Sequence, residues 1–111
     1  EIVDVIQDWG SEILAEPDQY ANHFYQLFIL HNYCRMLHDL VRGYPGSKSA
    51  GTEWAKVTLD PKWHGLIDRS WATRGNAYVT ARQVANADDY QATLEFVRYI
   101  IQKVDDYRHL L

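Results

Sequence analysis

The chemistry open to this chain must be sought among its five histidines, one cysteine, fifteen carboxylates and eleven fixed cations. The densest grouping is His31, Cys34 and His38, at i, i+3 and i+7, which a helix would set along one face. Two helical turns separate the histidines by about 10.5 Å along the axis. Metal–nitrogen bonds are about 2.0–2.1 Å long, so one ion cannot readily take all three. Cys34 and His38, at i+4, could hold a metal only with ligands from elsewhere. Packing with a polar edge is the expected role, and no metal site is assigned. Cys34 sits among apolar neighbours, where a thiol is inert. No serine stands on a strand-to-helix elbow, so there is no nucleophile triad. Walker A and dinucleotide glycine patterns are also missing, and Gly46-Ser47-Lys48 lacks the upstream strand and earlier glycine of a phosphate loop. Helical RNases of the toxin type need an arginine followed at a set spacing by a histidine. Arg35 precedes His38 too closely for that, and Arg42, Arg69 and Arg98 have no histidine in range. No catalytic residue is assigned.

The elements that would position any site are helical. With 111 residues, 47% of them hydrophobic and 14% aromatic, the chain is one domain with enough apolar surface to exclude disorder. Segment 2–15 has the helical rhythm Ile2, Val3, Ile6, Trp9, Ile13, Leu14, and Pro17 ends it. Segment 19–41 is apolar over a broad arc, from Phe24 through Tyr33 and Cys34 to Val41, as expected of a central helix packed on several sides. Gly43 is its expected left-handed cap, with Pro45 barring continuation. Ser47 reads as the N-cap of a short helix over 48–57. Asp60-Pro61 starts another that runs to about 73, with Trp63, Leu66, Ile67, Ser70 and Trp71 inward. Gly75-Asn76 breaks it. Residues 77–87 are ambiguous between helix and a short strand at Tyr78-Val79-Thr80. The last helix starts near Asp88 or Asp89. The expected fold is an all-α bundle of five to six helices around a long central helix, a single helical domain over 1–111.

Charge is unevenly spread. Residues 1–46 carry seven acids and two bases, summing to -5, while 47–111 carry nine bases and eight acids, +1. The window 42–82 is richest in base, which suits an anionic partner such as a phosphate. The overall -4 argues against bulk nucleic-acid binding. The single cysteine makes a reducing, cytoplasmic setting the default. No apolar run approaches the ~18–20 residues that cross a bilayer. Glu1-Ile2-Val3-Asp4 has neither the basic region of a signal peptide nor an initiator methionine, so a piece of a longer protein is expected.

From the central helix onward an ordered pattern runs through Leu30-His31-Asn32-Tyr33-Cys34-Arg35-Met36-Leu37, a glycine-containing turn, Ser47-Lys48, Gly51-Thr52-Glu53-Trp54-Ala55, Leu59-Asp60-Pro61-Lys62-Trp63 and Leu66-Ile67. This order resembles the C-terminal helical domain of aminoglycoside nucleotidyltransferases, the streptomycin/spectinomycin adenylyltransferase group, over residues 22–104. The resemblance implies a two-domain parent. Its catalytic domain, absent from this chain, carries the metal-binding carboxylates and the base, and binds ATP with Mg²⁺. The helical domain closes the cleft over nucleotide and small-molecule acceptor. The rival reading is a free-standing helical interaction module, possibly the partner in trans of a separately encoded minimal nucleotidyltransferase.

Carried over residue by residue, the resemblance makes Lys48 a contact to the triphosphate beside Ser47. A capped helix start already favours an anion there, and the lysine adds a point charge. Arg74 stands where the antibiotic enzymes have a tyrosine against the nucleotide; an arginine can stack on a base or hold a phosphate. Arg35 and Asn32 are expected to be structural, Arg35 paired with an acid of another helix. The acids that grip a cationic sugar in the family correspond to positions near Ala21 and Tyr25. Asn22, His23, Tyr25 and Gln26 are expected instead to form a polar, aromatic-rimmed acceptor wall. The remaining Trp and Tyr side chains are expected core anchors.

Overall fold

The computed structural model describes residues 2–73 and 84–109. Helix α1 (Ile2–Ala15) buries Val3, Ile6, Gly10 and Ile13 on one face, and a 3-10 turn over Pro17–Tyr20 follows. Helix α2 (His23–Arg42) starts a turn later than the apolar pattern predicts. The cause is local: Asn22 is extended, and its side chain accepts from the Tyr25 amide at 2.8 Å, the bond that marks an N-cap. Gly43 closes α2 at φ 79, where a side chain would be strained. Helix α3 (Lys48–Thr58) begins at the expected Ser47 cap. Asp60 caps a 3-10 turn over Pro61–Trp63, and α4 (His64–Ala72) continues from it. Helix α5 (Ala87–His109) starts just ahead of the expected Asp88, because Asn86 Oδ1 accepts from the Asp89 amide at 3.0 Å. Among the described residues the isolated strand-like pairing is a bridge between Asn22 and Val84. Gly75-Asn76 and Tyr78-Val79-Thr80 lie outside the described residues.

The all-α bundle has α2 at its centre. Helices α3 and α4 pack on it, and α5 packs against both α1 and α2. Tyr33, Cys34, Ile67, Phe96, Ile100 and Val104 are fully buried. The Tyr33 hydroxyl donates to the Ile6 carbonyl at 2.7 Å, so this aromatic joins α1 to α2 without leaving a polar atom unpaired. Trp63 meets Phe96 edge-on with ring centroids 5.1 Å apart, and Arg69 bonds Asp89 at 2.9 Å, closing α4 onto α5. Among the described residues no helix is long and apolar enough to cross a membrane.

Burial pushes the Cys34 thiol up from its ordinary 9.0 to about 12 and raises the Tyr33 phenol above its ordinary 10.0. An unfolded chain ionises both groups earlier than the folded one. Between pH 9 and 12 the unfolded state therefore binds fewer protons, and stability is lost as pH rises through that window. Denaturant midpoints measured across it should fall steadily. A thiol reagent at neutral pH should modify Cys34 only at the rate at which the chain opens, and rapid labelling of the folded chain would contradict its burial.

Candidate functional site

The N-terminal end of α3 is built from its cap. Ser47 Oγ accepts from the Ala50 amide at 3.0 Å, and the Ser47 carbonyl accepts from Gly51 at 2.9 Å. The Lys48 and Ser49 amides have no intrahelical partner, and the helix end carries partial positive charge. No acid lies in the first turn to neutralise it. Lys48 is exposed. Its Nζ rests over the Phe28 ring, 5.1 Å from the centroid, and no carboxylate among the described residues pairs with it.

Two of the other described cations of the basic window are ion-paired, and two, like Lys48, rest on an aromatic ring. Lys56 Nζ lies 2.6 Å from Asp68; this hydrogen bond is the main cause raising the lysine's pKa and lowering the aspartate's. Arg69 is held by Asp89, whose hydrogen bond raises its pKa. Lys62 lies over Trp63 at 4.9 Å and Arg42 over Tyr44 at 5.6 Å. Lys48 is thus an unpaired cation that also sits at a helix N-terminus. Arg74 lies outside the described residues.

Arg35 departs from its expected role. It is half-buried, yet no acid among the described residues pairs with it. The one acid within helical reach, Asp39 at i+4, is engaged by His38 Nδ1 at 2.9 Å. A Cβ built on Gly51 would stand 2.6 Å from Arg35 Cα. The α2 backbone therefore passes directly against α3 one turn beyond Lys48. Asn32 is structural, donating to the Phe28 carbonyl at 2.7 Å.

The acceptor wall is reordered. Gln26 is 2% exposed, and its Nε2 donates to Ser70 Oγ and Thr93 Oγ1, both at 3.0 Å. It ties α2 to α4 and α5 and lies inside the bundle. Asn22 spends its side-chain oxygen on the α2 cap, and His23 Nε2 lies 3.2 Å from the Thr73 carbonyl. Tyr25 remains at the surface, half-buried, meeting Tyr20, Phe24 and Phe28 edge-on at 5.2, 5.4 and 6.4 Å. Phe28 also meets Trp9 at 5.7 Å. A continuous aromatic strip thus runs from Tyr20 to the ring beneath Lys48. The available signal was the triplet Phe24, Tyr25, Phe28 at i, i+1 and i+4, of which the sequence put Phe24 and Phe28 in the apolar arc of the central helix and Tyr25 in the acceptor wall. Among the described residues no group of three or more His, Cys, Asp or Glu is placed to hold a metal ion.

A family model described as "Aminoglycoside adenylyltransferase, C-terminal domain" matches residues 1–103. No curated protein and no solved structure matches the chain.

Proposed function

The chain belongs to the family of aminoglycoside adenylyltransferase C-terminal domains, and from that membership we propose that it is the nucleotide- and acceptor-contacting helical domain of a nucleotidyltransferase, working with a catalytic domain in cis or in trans. In such an enzyme ATP supplies the transferred nucleotidyl group, and Mg²⁺, held by the carboxylates of the catalytic domain, neutralises the triphosphate. The helical domain's own part is positional and electrostatic. Lys48, at the positive end of α3, meets a phosphate oxygen, and the free Lys48 and Ser49 amides face the same anion. The aromatic strip through Tyr25 and Phe28 borders the tip and offers flat apolar contact to the acceptor.

The observation that carries this reading is an exposed lysine at a capped helix N-terminus, with no carboxylate among the described residues to occupy it. Titration of the chain with ATP and Mg²⁺, alone and with the catalytic domain, tests it. Lys48→Ala should weaken binding roughly tenfold, the loss of about one charge-assisted contact. Lys48→Arg should retain most of the affinity. Equal binding by wild type and Lys48→Ala, or none with the catalytic domain present, would remove the claim.

A further inference from the structure

We propose that Asp39 is a positioning residue for Lys48: its carboxylate fixes the point from which α3 starts. The chain leaves α2 at Gly43, and three residues later it is caught again, where the Gly46 amide donates to Asp39 Oδ1 at 2.9 Å. Among the described residues this carboxylate is the one side chain that hydrogen-bonds the backbone of 43–46. The same oxygen lies 2.9 Å from His38 Nδ1. An ionised carboxylate only accepts, so Nδ1 carries the proton. The buried His38 ring is itself fixed, met edge-on by Tyr44 of the loop and by Trp54 of α3, each at 5.6 Å.

The loop backbone is pressed against that ring. A Cβ on Gly46 would lie 2.7 Å from His38 Cε1 and 3.1 Å from Nδ1. Gly46 immediately precedes the Ser47 cap, and Lys48 is the first helical residue after it. The entry to α3 is therefore held to α2 by this carboxylate and the His38 ring, ahead of the close α2–α3 contact at Gly51. A binding group is only as well placed as the shell that holds it. The effect on nucleotide affinity rests on the reading of Lys48 given above; the placement of Lys48 by Asp39 does not.

The Lys48 ammonium over Phe28 provides a signature, because its ε-methylene protons should show an upfield ring-current shift in the NMR spectrum of the full chain. Asp39→Ala should move these resonances to the position of a free lysine and weaken ATP–Mg²⁺ binding roughly tenfold. Asp39→Asn keeps an oxygen that accepts from both Gly46 and His38. It should keep the ring-current shift and bind within about twofold of wild type. Gly46→Ala, which changes no charge, should reproduce the loss seen in Asp39→Ala. Circular dichroism at the temperature of measurement establishes that each variant is folded. An unchanged Lys48 shift in folded Asp39→Ala or folded Gly46→Ala, or equal loss in Asp39→Asn, would overturn the assignment. If wild type takes up no ATP, the nucleotide reading falls alone, and the Lys48 resonances still decide the role of Asp39.

Discussion

Gly51→Ala is expected to destabilise this fold by about 2–3 kcal/mol, against the usual sign for a helix interior. In an ordinary helix, alanine is favoured over glycine by roughly 1 kcal/mol. Here the added methyl would stand 2.6 Å from Arg35 Cα and 2.9 Å from Arg35 N. Both atoms belong to the backbone of the central helix, which cannot rotate aside as a side chain would. Helices α2 and α3 must separate, and each loses contacts to the buried layer around Leu37 and Ala55. Thermal unfolding should show a midpoint lower by roughly 10–20 °C for a domain of this size. Gly65→Ala in α4 is the control. Its nearest neighbour would be the Arg69 guanidinium at 3.0 Å, the end of a flexible side chain, so that variant should be neutral or slightly stabilised. A Gly51→Ala chain as stable as wild type would mean that the two helices do not approach this closely.

Gln26→Ala should cost about 2–4 kcal/mol. Two effects combine. Ser70 Oγ and Thr93 Oγ1 each lose the hydrogen bond donated by the buried amide, and a cavity opens where α2, α4 and α5 meet. Thr93 already donates its own proton to the Asp89 carbonyl at 2.7 Å, so its oxygen is left without a donor inside the protein. Gln26→Met refills much of the volume and restores no hydrogen bond, and should therefore lie between wild type and alanine in urea titrations. Neither variant should alter acceptor binding at temperatures where it is folded, since the amide is 2% exposed. A change in acceptor affinity without loss of stability would return Gln26 to the substrate wall.

Gln26 and Lys48 show how far residue type and spacing reach. The helices were legible because apolar periodicity, Pro17, Gly43, the Ser47 cap and Asp60-Pro61 act over a few residues. The caps Asn22 and Asn86 moved helix starts by a turn or less. The position of Lys48 at a helix start was legible for the same reason: it depends on a cap next to it in the chain. Gln26 was not, because a polar residue on an amphipathic helix looks the same whether it faces water or two hydroxyls contributed from 44 and 67 residues away.

By itself, the sequence settled the all-α class, the central helix and the family, since each rests on local pattern read in order along the chain. Only the tertiary structure decided which polar groups are spent. It withdrew Gln26 into the bundle, left Arg35 without an acid among the described residues while Asp39 is taken by His38 and Gly46, and joined separate aromatics into a strip ending under Lys48. Hydrogen-bond and charge pairing is a competition among groups brought together by folding, and its outcome depends on distances that no one-dimensional spacing contains.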